Sequence, residues 1–185
     1  MIHLRPLRTL EDHLSRRINR APSPAFAIAT PWVTVMLGSL LPAWPYIASA
    51  PVAPPLGLLL LLAWRQGRPG LLPVWAGFPL GAFDDIYSGQ PFGSAILLWS
   101  LALIAVDVVE ARFPWRNFAF DWLEAAVLIP LTMLGSLLLA NAAGGNASPK
   151  IIIPQMLLAL LLYPMIARGV ALCDRVRLLP LRRLR

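Results

Sequence analysis

The chain has 185 residues, of which 58% are hydrophobic and only 14% charged, and its mean hydropathy is +0.67. A soluble domain this small has too little interior to hide so much apolar surface, so most of it faces lipid; a disordered protein, a DNA-binding module and an ordinary cytosolic enzyme are excluded. The formal net charge of +7 comes from basic residues set in short segments between apolar runs, which is the pattern of membrane topology and anionic headgroups rather than of nucleic acid.

Residues 1–24 read as a basic cytoplasmic tail. Leu4, Leu7, Leu10, Leu14 and Ile18 recur every three or four positions, with Arg5, Arg8, Arg16, Arg17 and Arg20 around them. That pattern fits either a short helix lying on the membrane surface or a partly ordered tail. The tail has no long apolar run and is not a cleavable signal peptide.

Residues 25–173 form the expected transmembrane domain, an all-α bundle of about six helices. The apolar segments run from about Phe26 to Trp44, Tyr46 to Trp64, Leu71 to Tyr87, Phe92 to Val109, Phe118 to Ala140 and Ile151 to Leu172. A crossing needs about 20 residues to cover roughly 30 Å of hydrocarbon. The last three segments meet that length. The second is broken by Pro51, Pro54 and Pro55 and the third by Pro73 and Pro79, so a buried hairpin that falls short of spanning is an alternative for this pair. Residues 174–185 read as a basic cytoplasmic tail.

Charge tests this arrangement. With the N-terminus inside, all fifteen arginines fall in the N-terminal tail, in the turns around residues 65–70 and 110–117, or at the C-terminal end from Arg168 onward, and Lys150 alone falls outside. Such a split fixes orientation by the positive-inside rule and favours an even number of crossings. Trp44, Trp64 and Trp115 fall at expected span ends, where indole sits at headgroup level.

The most informative stretch is Gly77-Phe-Pro-Leu-Gly81-Ala-Phe-Asp-Asp85-Ile-Tyr-Ser-Gly89-Gln-Pro-Phe-Gly93. Gly77, Gly81, Asp85, Gly89 and Gly93 are spaced by four. Residues four apart share a helix face, and glycines there leave a smooth groove in which a partner helix or the protein's own core can pack closely. Gln90-Pro91 turns the chain, so Gly93 opens the fourth span. An aspartate near the bilayer is costly unless paired, capped or wetted. Asp84 and Asp85 are therefore read either as a contact or ion-handling site, or as a water-exposed pair capping the fourth helix. Asp107, one turn deeper than Glu110, is a second candidate polar position, expected to face Arg112 or Arg116. Asp121 and Glu124 suit the N-terminus of the fifth helix.

Catalytic templates find no match. No histidine lies in any span, since His3 and His13 are both in the tail, so a serine–histidine site cannot assemble. No His-Glu-x-x-His motif and no phosphate loop with lysine is present. Asp85 and Asp107 are separated by a spanning helix, too far apart for an aspartyl dyad. With a single cysteine, Cys173, neither a disulfide nor a Cys/His metal cluster is expected. No cofactor and no metal is expected, and the chain reads as a non-enzyme.

Size, span number and the run Gly81-x-x-x-Asp85-x-x-x-Gly89-x-x-x-Gly93, followed by Ser94-Ala-Ile-Leu-Leu-Trp-Ser-Leu, resemble MreD, the rod shape-determining membrane protein family of bacteria. The resemblance implies a non-catalytic component of the cell-elongation complex in the inner membrane. Its implied partners are an MreC-like bitopic protein, MreB, RodA and a penicillin-binding transpeptidase, and its implied outcome is lateral peptidoglycan synthesis. The family is also distantly similar in fold to substrate-binding membrane subunits of vitamin transporters. That similarity implies an alternative small-molecule-binding role, in which Asp84, Asp85, Tyr87 and Asn141 could line an outward-facing pocket.

Overall fold

A computed structural model describes residues 20–21, 24–41, 53–115, 117–177 and 182–183. The expected tail helix, Trp44, Pro51 and Arg116 lie outside the described residues. Among the described residues there are six α-helices: α1 (Pro24–Leu40), α2 (Leu56–Gly67), α3 (Gly77–Ser88), α4 (Ser94–Arg112), α5 (Phe118–Ala142) and α6 (Ile152–Arg177). A two-residue antiparallel pairing joins Arg20–Ala21 to Arg182–Arg183. The protein is an all-α membrane bundle.

Among the described residues, three helices, α4, α5 and α6, are long and apolar enough to cross a membrane, at 19, 25 and 26 residues. Only 33%, 33% and 17% of their most apolar windows are buried inside the protein, so most of that surface is left for lipid. Leu138 and Leu161, 69% and 74% exposed, belong to this outer face. α1 has 17 residues, a rise of about 25 Å.

The second and third segments are shorter than the sequence suggests. α2 starts at Leu56, immediately after Pro54 and Pro55, with Pro55 as its N-cap residue. Proline has no N–H to give and fits only before or within a first turn. Its 12 residues rise about 18 Å, short of a bilayer's roughly 30 Å. In compensation α2 is the centre of the bundle. It packs against α1, α4, α5 and α6, and its residues from Gly57 to Gln66 are buried except Leu60. A helix with leucine on every side needs protein on every side.

The expected third crossing, Leu71 to Tyr87, is a 3-10 turn at Val74–Ala76 followed by α3. Pro73 precedes the turn, and Pro79 lies in the first turn of α3, where a missing N–H matters least. α3 packs against α1 and α4. Gly77 lies against Ser100, only six residues into α4, so α3 starts about 9 Å below the start of α4. The chain that leads there runs from an exposed turn at residues 68–70 to Leu72 and Ala76, which are fully buried. Irregular backbone at membrane depth is tolerated only under such cover.

α6 continues past the expected boundary at 173, through Asp174 to Arg177, and both of those side chains are buried. Trp64, expected at headgroup level, is instead fully buried. Its indole N–H donates to Thr34 Oγ1 at 2.8 Å, and the Arg177 guanidinium lies over its ring at 5.7 Å. Trp115 is 84% exposed.

Candidate functional site

The glycine–aspartate stretch forms a helical hairpin within the protein. α3 and α4 run antiparallel, and the backbone of α4 fills the groove left by the glycines. A Cβ on Gly81 would stand 2.6 Å from the Ala95 carbonyl oxygen and 2.7 Å from Ile96 N. One on Gly77 would stand 2.8 Å from the Ser100 Cα and N. Neither position has room for a methyl group.

One turn further along, Asp85 continues the same face and meets the start of α4. Its carboxylate accepts from the N–H of Gly93 at 2.8 Å, Ala95 at 2.8 Å and Ile96 at 3.3 Å, and from the Ser94 hydroxyl at 3.1 Å. The first N–H groups of a helix have no partner within it, and its N-terminus carries partial positive charge. A buried carboxylate from the preceding helix answers both needs, and Asp85, 5% exposed, is fully hydrogen-bonded there. Gly89 ends α3 at φ +69° and Gly93 precedes α4 at φ +99°. These left-handed conformations suit glycine and turn the chain back within five residues. Gly89 and Gly93 therefore serve the turn, whereas Gly77 and Gly81 serve the groove.

Asp84 faces elsewhere. It is half-buried and lines a cavity of about 240 Å³ together with Gln90, Ser136 and Gln155. Tyr87 is not among the lining residues and packs its ring against Phe83 at 4.9 Å. Asn141 holds the loop after α5 by accepting from Ala147 N at 2.9 Å and donating to Ala147 O at 3.1 Å.

At the opposite, arginine-bearing end, three residues at the close of α2 tie the bundle together. Arg65 donates to Asp107 at 2.5 Å and Glu110 at 2.9 Å, both on α4. Asp107 was expected to face Arg112 or Arg116; the structure brings Arg65 to it because α2 ends beside the last turns of α4. Gln66 donates to Glu124 of α5 at 2.9 Å and accepts from the hydroxyl of Tyr163 of α6. Arg68 pairs with Asp174 of α6 at 2.7 Å. Asp174 also binds Arg177 at 2.6 Å, and Arg177 donates to the Ala27 carbonyl of α1 at 2.9 Å. Every long helix is thus bonded to α2 directly or through Asp174.

Sequence reading marked Arg65, Arg68 and Arg177 only as topological charges and passed over Gln66 and Tyr163. The available signal was Arg65-Gln66 closing an unbroken apolar helix, since polar side chains at the end of a buried helix must find partners. Among the described residues, no group of three His, Cys, Asp or Glu side chains could hold a metal ion.

No solved structure matches the chain at a significant level. The family described as rod shape-determining protein MreD matches residues 25–171, a range that contains the α3–α4 hairpin, the whole of α2 and all but the last turn and a half of α6. The chain belongs to the MreD family of rod shape-determining membrane proteins.

Proposed function

We propose that this chain is a non-catalytic scaffold of the bacterial cell-elongation machinery. It lies in the inner membrane with its arginine-bearing end and both termini in the cytoplasm. There it holds an MreC-like bitopic protein and helps couple MreB filaments to RodA and a penicillin-binding transpeptidase during peptidoglycan synthesis. The observation that carries this reading is where the polar residues are spent. Asp85 caps α4, and Arg65, Gln66, Arg68, Asp174 and Arg177 bond helix to helix. What is left to meet a partner is the apolar outer face and the short loops. A bitopic protein offers a single apolar helix, which suits such a face.

Two measurements test it. Affinity purification of the tagged chain from mild detergent should recover the MreC-like protein encoded in the same genome. Reporter fusions at the arginine-rich turn near residue 112 should report the cytoplasm, and fusions in the loop near residue 146 the periplasm. Failure of recovery, or an inverted topology, overturns the proposal.

A second reading, a small-molecule-binding subunit of a vitamin-type transporter, is favoured by the cavity beside Asp84. Its volume of about 240 Å³ lies below the range of about 300–1,000 Å³ usual for ligand sites. Asp85 and Asn141, which would have to line it, are committed to α4 and to Ala147. A thermal-shift screen of vitamins on the purified protein decides: a saturable stabilisation would favour transport.

A further inference from the structure

We infer that the arginine-bearing end of the bundle holds a specific site for the headgroup of an anionic phospholipid, in a cavity of about 450 Å³ lined by α2, α5 and α6. The inference rests on the membrane bundle itself and not on the scaffold role. The cavity has a buried floor and an exposed rim. Trp64, Gln66, Tyr163, Val170 and Asp174 are buried, whereas Arg68, Phe118, Arg168, Ala171 and Arg175 are exposed.

The charges of this cavity are unequal. Its acids are Asp121 and Asp174, and its bases are Arg68, Arg168 and Arg175. Asp174 is already neutralised by Arg68 and Arg177. Arg168 and Arg175 have no ion-pair partner among the described residues. They stand seven residues apart on α6, two turns along one face, with a rise of about 10 Å between them. Two guanidinium groups over a cavity are a recognition pattern for phosphate oxygens.

A lipid, rather than an acidic protein segment, fits the walls. Trp64, Val170, Ala167 and Phe118 continue the cavity as an apolar surface. Below the arginines, Leu161 and Met165 expose 74% and 66% of their surface on the same helix. A ligand matching this gradient carries negative charge at one end and hydrocarbon at the other. Basic pockets between helices at the headgroup level take such lipids.

The test uses the full chain in phosphatidylcholine nanodiscs doped with phosphatidylglycerol or cardiolipin, read by native mass spectrometry of retained lipid. The expected result is one anionic lipid retained per chain. Arg168→Gln with Arg175→Gln should weaken that retention about tenfold, Arg168→Lys with Arg175→Lys should largely preserve it, and Lys150→Gln at the other end should leave it unchanged. Both arginines are exposed, so the variants should keep the wild-type circular dichroism and melting temperature in phosphatidylcholine alone. Equal retention by the double glutamine variant would overturn the site. So would inorganic phosphate or an acidic peptide displacing the lipid as efficiently as added phosphatidylglycerol.

Discussion

Arg177 donates a hydrogen bond to the carbonyl oxygen of Ala27 at 2.9 Å, and Ala27 lies four residues before Pro31, the proline inside α1. A proline has no N–H, so the carbonyl four residues earlier loses its helical partner. In hydrocarbon that oxygen would be costly to leave bare. The far end of the chain supplies the missing donor, and the same guanidinium lies over Trp64 and binds Asp174. The proline and the arginine, 146 positions apart by their numbers, form one structural unit.

That coupling can be measured. Arg177→Gln should destabilise the protein by about 2 kcal/mol, since it removes a charged donor from a carbonyl and a carboxylate. In a Pro31→Ala background the Ala27 carbonyl regains a backbone donor, and the same replacement should cost about 1 kcal/mol less. A double-mutant cycle on melting in detergent reads the difference, and strict additivity would break the link.

The hairpin lock separates two adjacent acids. Asp85→Asn turns an amide toward the N–H donors at the start of α4, so a loss of about 1–3 kcal/mol is expected. Asp84→Asn leaves the hydrogen bonds at the start of α4 in place and should cost less. Parallel urea or thermal unfolding of the two variants checks the order, and equal losses would take Asp85 out of the lock.

Glycine substitutions should divide into three kinds. Gly81→Ala places a methyl group 2.6 Å from the Ala95 carbonyl oxygen, which pushes α3 off α4 at a cost of about 1–3 kcal/mol. Gly93→Ala meets open space at φ +99° and loses only the backbone preference, about 1–2 kcal/mol. Gly169→Ala meets nothing within 4 Å and carries no left-handed φ, so it should be neutral or gain up to about 1 kcal/mol. Melting temperatures of the three, with rod shape scored in complemented cells, give the ranking.

At the other end, Arg65→Gln should cost more than Asp107→Asn. Arg65 is 5% exposed in its side chain whereas Asp107 is 53% exposed. Removing the buried cation strips two carboxylates of their partner, with an expected loss of about 2–3 kcal/mol. Losing a half-solvated carboxylate should cost below about 1 kcal/mol. Tyr163→Phe leaves the Gln66 carbonyl oxygen without its donor and should fall between them, at about 1–2 kcal/mol. Chemical unfolding of the three proteins provides the comparison.

The sequence alone determined that the chain is a helical membrane bundle and where α4, α5 and α6 lie, because an uninterrupted apolar run of crossing length has one stable state in lipid. It also marked the Gly77–Gly93 stretch, since a four-residue interval is a property of one helix. Tertiary structure decided what lies opposite each residue. The spacing of Gly81 and Asp85 is the same whether their groove takes a partner helix or α4, and only the antiparallel return through Gly89 and Gly93 puts Ala95 against it. It also decided that α2 need not span: a short helix wrapped in other helices is released from the length that lipid demands of an exposed one. The partners of Arg65, Gln66 and Arg177 could not be read from the sequence for the same reason. Periodicity reports the face a side chain occupies, whereas an ion pair between residues 42 positions apart depends on which helices the bundle sets side by side.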